Sequence, residues 1–63
     1  MAIGDVLDDA YGAEVRELYG TFFDAVAAAK DKDSEMAAAA ERFRMGIELL
    51  KRVHAKAKEI ATP

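Results

Sequence analysis

The single histidine, His54, is the residue best suited to chemistry near neutral pH. Its imidazole changes charge in that range, so it could act as a pH switch or bind a metal ion. A metal site on a helix also needs carboxylates one turn away on the same face. Those positions hold Leu50, Lys51, Ala57 and Lys58. The sequence therefore predicts a packed histidine, hydrogen-bonded to Tyr11 or to a second copy of the chain, with no metal and no cofactor.

Three aspartates near the start of the chain, Asp5, Asp8 and Asp9, could form a cation site or an acid–base pair. The first turn of a helix favours acidic residues for a simpler reason, because they complement the helix dipole. No segment has the pattern of a phosphate loop, a calcium loop or a nucleophile elbow. Catalysis also needs a concave pocket, which a pair of helices does not offer by itself. We therefore expect a protein that is not an enzyme.

Three basic residues, Arg44, Lys51 and Lys58, recur every seven residues and could contact nucleic-acid phosphates. The net charge of −3 argues against a dedicated nucleic-acid binder without excluding one. The alternative is that these bases pair with Asp8 and neighbouring carboxylates at the edge of a helical bundle. The length and organisation are similar to those of helical hairpins of the Rop type, which dimerise into RNA-binding bundles, although none of their sequence motifs is present.

The elements that must position these residues are helices. Alanine is the commonest residue and the single proline is Pro63, a composition that favours helix. The polar segment KDKDSE, residues 30–35, interrupts it, and Asp31, Asp33 or Ser34 could cap a second helix. We predict one all-α domain over residues 1–63, with helix 1 at about 4–30, a turn at about 31–33 and helix 2 at about 33–60. The short connection makes the two helices an antiparallel hairpin.

Each predicted helix carries one main apolar stripe. On helix 1 the stripe is Leu7, Tyr11, Val15, Leu18, Phe22, Val26 and Ala29. On helix 2 it is Met36, Ala40, Phe43, Ile47, Leu50, His54, Ala57 and Ala61. Antiparallel packing pairs Phe22 with Phe43, Leu18 with Ile47, Val15 with Leu50 and Tyr11 with His54. It also brings the acidic start of helix 1 against the basic end of helix 2.

Two glycines, Gly12 and Gly20, are the positions where helix 1 could break, because glycine inside a helix costs about 1 kcal/mol. A break at Gly12 would give a bundle of three helices. The apolar phase nevertheless continues without a jump from Leu7 through Tyr11 to Val15. The spacing therefore favours one continuous helix, although the sequence alone leaves a break at either glycine open.

Both helices also carry apolar residues beside the main stripe, over a band wider than one partner helix can cover. This excess predicts that the hairpin dimerises into a four-helix bundle. Glycines would allow close approach there, and Tyr19 and Phe23 would be anchors. The predicted oligomer or partner interface comprises Tyr11, Gly12, Tyr19, Phe23, Gly46, Leu49, Val53, His54 and Ile60.

The length of 63 residues is near the lower limit for folding alone, and the absence of cysteine removes disulfides and thiolate zinc sites as stabilisers. The sequence has no apolar run of about 20 residues and no signal-peptide pattern, so we expect a cytoplasmic protein without membrane contact. The predicted function is a helical interaction or scaffold module that acts as a homo-oligomer. Its partners are a second copy and, as a further candidate, another protein. The alternatives are a nucleic-acid-binding regulator and an accessory subunit or small inhibitor that docks on a larger complex.

Overall fold

The protein is an antiparallel hairpin of two long α-helices, as predicted. The computed structural model describes residues 2–62, and Met1 and Pro63, the ends of the predicted domain, lie outside them. Helix α1 spans Ile3–Ala29 and helix α2 spans Asp33–Ala61. Residues 30–32 join them, so the turn lies one residue earlier than predicted. Asp8 beside Lys58 and Phe22 beside Phe43 establish the antiparallel direction.

Helix α1 runs through both glycines without a break, so residues 2–62 do not form a bundle of three helices. Gly12 and Gly20 have helical backbone, and a Cβ on either would meet no atom within 4 Å. Neither glycine is therefore required by a close approach inside the hairpin. The apolar stripe on each side of Gly12 holds the helix together because it packs against α2.

The turn depends on an unusual backbone conformation at Lys30. Its φ of 54° and ψ of −116° match the first central position of a type II′ turn, which glycine normally fills. The Lys32 amide closes the turn by donating to the Ala29 carbonyl at 3.0 Å. Lys32 is then the N-cap of α2 and makes no side-chain capping bond. Of the three predicted caps, Asp33 lies instead in the first turn of α2, where its charge complements the dipole.

The seam between the helices follows the predicted register over most of its length. The Phe22 and Phe43 rings have centroids 4.7 Å apart, and the Tyr11 and His54 rings 4.6 Å apart. Leu18, predicted to lie beside Ile47, packs against Gly46.

Near the turn the prediction for α2 was wrong. Met36 and Ala40 are exposed, and Ala39 is buried in their place. On α2, the residue that contacts α1 before Phe43 is Ala39, four positions earlier in the sequence. A strict seven-residue repeat drifts around a straight helix, so it loses the seam over a helix of this length.

The hairpin is a single layer. Its Cα atoms occupy a slab of 49 × 18 × 7 Å, so both broad faces of the two helices are open. Among residues 2–62, only Ala29 and Ala39 are buried, each 2% exposed. The chain exposes 4986 Å², whereas a compact protein of its mass exposes about 4,000 Å². In the described part of the chain, neither helix has a stretch long and apolar enough to cross a bilayer.

Candidate functional site

A polar cluster ties the start of α1 to the end of α2. Asp8 Oδ1 accepts hydrogen bonds from Lys58 Nζ and His54 Nε2, each at 2.8 Å. The Lys58 bond, and then the His54 bond, lower the pKa of the Asp8 carboxyl below its ordinary value. Tyr11 stacks on the imidazole rather than bonding to it, so the predicted Tyr11–His54 hydrogen bond is replaced by a bond to Asp8.

This cluster has the geometry of a structural clasp. It contains one carboxylate, one imidazole and one ammonium group, and the two other aspartates at the start of α1 take no part in its ion pairs. Within residues 2–62 no three side chains of the metal-binding types come together. The cluster links the two helices at the open end of the hairpin, through Asp8 and His54, which are 46 positions apart along the chain.

The predicted basic stripe is partly engaged by acidic residues of the same chain. Arg44 bonds to Glu41 and, at 2.8 Å, to Glu48. The Arg44 guanidinium lowers the pKa of Glu41, and Glu41 raises the pKa of Arg44 in return. Lys58 is held by Asp8. Two of the three predicted phosphate contacts therefore have carboxylate partners, and nucleic-acid binding stays a prediction.

One broad face of the hairpin carries a groove that runs from the open end to the turn. We call it the grooved face. At the open end it is lined by Leu7, Ala10, Tyr11, Glu14, Leu50, Val53, His54 and Ala57. In the middle it is lined by Glu14, Glu17, Leu18, Thr21, Gly46, Leu49 and Leu50. Near the turn the lining includes Ala25, Ala28, Ala38, Ala39, Arg42 and Glu35. Large apolar side chains thus occupy one half of the face and alanines the other.

The opposite broad face carries an aromatic patch on α1. Tyr19 and Phe23 are each 61% exposed and line a shallow hollow with Val26 and Ala27. At about 100° per residue these side chains point away from the groove-lining residues of α1 such as Thr21. Gly12 shares their side of the helix. The two faces are therefore separate surfaces.

No family model matches this chain, and neither a curated protein nor a solved structure is significantly similar to it.

The structure distributes the nine predicted interface residues over three places. Tyr11, Gly46 and His54 lie at the seam, where they contact the other helix of the same chain. Leu49 and Val53 line the grooved face, and Ile60, 76% exposed, follows them on the same side of α2. Gly12, Tyr19 and Phe23 lie on the face with the aromatic patch. Their role in an oligomer stays a prediction.

The sequence interpretation missed the contribution of α1 to the grooved face. The signal was present in the spacing, because one line of residues on α1 alternates steps of four and three. These residues are Ile3, Leu7, Ala10, Glu14, Glu17 and Thr21. The two glutamates and the threonine in this line are polar, so the line does not have the pattern of an apolar repeat.

Proposed function

We propose that the protein is a non-enzymatic helical interaction module that works as a homo-oligomer, in which hairpins pack on one another to form a bundle. The main support for this proposal is the single-layer architecture, which exposes about 1,000 Å² more surface than a compact chain of the same mass. Helices and sheets normally bury their apolar side against a second layer. A second layer is what this hairpin lacks.

The exposed side chains support the same proposal. Among residues 2–62, nine large apolar residues are exposed, and Leu49, Val53 and Ile60 on the grooved face are all above half of their full exposure. Full burial of such a side chain contributes about 1.5–3 kcal/mol. In the described residues no large side chain is fully buried within the hairpin. Association therefore supplies stabilisation that one chain does not obtain alone.

Sedimentation equilibrium over a hundredfold range of concentration, with helicity followed by circular dichroism, tests the proposal. We expect a dimer or a higher oligomer whose helicity falls on dilution, because folding and assembly are coupled. A monomer that stays helical and unfolds cooperatively would overturn the proposal. A monomer with little helix would also overturn it and would support the alternative of an accessory subunit that orders on a larger complex.

A cytoplasmic setting is part of this proposal and rests on the sequence alone. Fractionation of cells that express a tagged chain tests it, and recovery of the chain in a secreted or membrane fraction would contradict it.

A further inference from the structure

We propose that a second copy of the chain covers the grooved face, related to the first by a two-fold axis parallel to the helices, so that both turns lie at the same end of the bundle. This inference rests on the proposed function and adds the face and the arrangement of the pair. It places each α1 over the α2 of the other copy.

The exposed area fits one additional copy. Two separate hairpins expose about 10,000 Å², twice the area of one. A compact protein of twice the mass exposes about 6,600 Å². The difference of about 3,400 Å² lies within the range of obligate homodimer interfaces, roughly 2,000–5,000 Å². Two layers stacked face to face therefore complete a four-helix bundle.

The spacing on the grooved face is that of a helix contact. On α2 the residues there alternate steps of three and four: Ala39, Arg42, Gly46, Leu49, Val53, Lys56 and Ile60. The line on α1 that contains Leu7 and Ala10 has the same alternation. This repeat is typical of a seam packed against another helix. On α2 the intramolecular seam shares Ala39 and Gly46 with this line, whereas Leu49, Val53 and Ile60 stay exposed. Those three residues are the part of the packing line that the hairpin itself does not use.

The acidic residues in the middle of α1 select the arrangement. Glu14 and Glu17 line the groove and lie on either side of the midpoint of α1. With the turns at opposite ends, α1 would stack on the other α1 in reverse, and both glutamates would face their counterparts. Four carboxylates would then meet with no base between them. Such placement of like charges across an interface is strongly unfavourable.

With both turns at the same end, the same glutamates meet a different surface. The groove places Gly46 and Leu49 at the level of Glu14 and Glu17. In the dimer, Glu14 and Glu17 face Gly46 and Leu49 on the α2 of the second copy. Arg42 of the second copy lies one helical turn from Gly46, towards the end of the bundle that holds the two hairpin turns. Long side chains can lay their stems on the apolar surface while their charged ends meet at the rim. The large apolar halves of both grooves also coincide, as do the two alanine halves.

The first test compares matched charges on the two faces. Val53 is 55% exposed on the grooved face and Phe23 is 61% exposed on the aromatic patch. We expect Val53→Glu to weaken dimerisation about 100-fold or more, since it buries an unpaired charge at the interface. Phe23→Glu should change the dissociation constant less than about 3-fold, because the charge stays in water. A dimer that resists Val53→Glu but dissociates with Phe23→Glu would overturn this inference alone. A monomeric wild-type chain would overturn the proposed function as well.

The second test measures the arrangement. The chain has no cysteine, so a spin label on Asp31→Cys reports one position in each turn. With both turns at the same end, the label-to-label distance should be about 20–30 Å, since packed helices lie about 10 Å apart and the labels add their own length. With the turns at opposite ends, it should approach or exceed the hairpin length of 49 Å. Thr62→Cys at the open end repeats the measurement if the turn variant folds poorly. Long distances at both sites would overturn the arrangement.

Discussion

Both methyl carbons of Leu18 lie 2.8 Å from the point where a Cβ on Gly46 would stand. The leucine therefore occupies the space left by the missing side chain, and the two helices approach closely at the middle of the hairpin. The sequence predicted that Gly46 allows a close approach between subunits. The structure places that approach within the chain.

Gly46→Ala should destabilise the protein, whereas Gly20→Ala should stabilise it. Alanine is the better helix former by about 1 kcal/mol, and Gly20 faces open space, so the second change keeps that gain. At Gly46 the new methyl group forces Leu18 to move, and overpacking costs about 1–3 kcal/mol. We expect the free energy of unfolding of the two variants to differ by about 1–3 kcal/mol in urea titrations at one protein concentration. Equal stabilisation by both changes would show that Leu18 repacks freely.

Lys30→Gly should raise the melting temperature. A residue with a side chain held at a φ of 54° and a ψ of −116° is strained by about 1–3 kcal/mol. Glycine removes the strain but adds about 0.5–1 kcal/mol of backbone entropy to the unfolded chain. We expect a net stabilisation of about 0.5–2 kcal/mol by thermal unfolding. Lys30→Ala is the matched control, because it removes the charge and keeps the strain. A gain of the same size for alanine would assign the effect to charge.

Acid should weaken the clasp at the open end of the hairpin. Lys58 and His54 lower the pKa of Asp8 in the folded state, so the unfolded chain takes up this proton more readily. The stabilisation from Asp8 is therefore present above about pH 3.9, the ordinary value for aspartate, and is lost as the pH falls towards the lower folded value. Asp8→Asn should lower the melting temperature at pH 7 and reduce its fall below pH 4.

The control for this pH experiment is Asp9→Asn, a neighbouring change outside the clasp. It should leave the acid dependence of the wild type in place, including the part that comes from Glu41, whose pKa is lowered by Arg44. An unchanged pH profile in Asp8→Asn would mean that the clasp contributes nothing measurable to folding.

A labelled single-stranded RNA of about 20 nucleotides should show no saturable binding at low salt. Arg44 and Lys58 are already paired with carboxylates, and the chain is acidic overall. Fluorescence anisotropy at several salt concentrations measures this, with Lys51→Gln as the comparison. Binding whose logarithm falls with the logarithm of salt by about 0.7 per phosphate contact, and by one contact fewer in Lys51→Gln, would reinstate the basic stripe as a nucleic-acid site.

The sequence predicted the fold and much of the register, and it failed where side-chain type was a poor guide to contact. Phe22 and Phe43 are large, so their spacing fixes how the helices meet, and they lie as predicted. Around Ala39 and Ala40 the choice between two neighbouring alanines has little sequence signal, and the wrong one was placed at the seam. The bond from His54 to Asp8 was missed because both Tyr11 and Asp8 lie within its reach.

The Cα atoms form a slab 7 Å thick, so almost every residue has one side that faces either solvent or a partner. Under the proposed association, the folded fraction then depends on how much of the chain a cell makes. At low expression the unpaired chains would be open to proteases, and turnover would remove them. Gene dosage and synthesis rate would therefore change the amount of assembled protein more than in proportion.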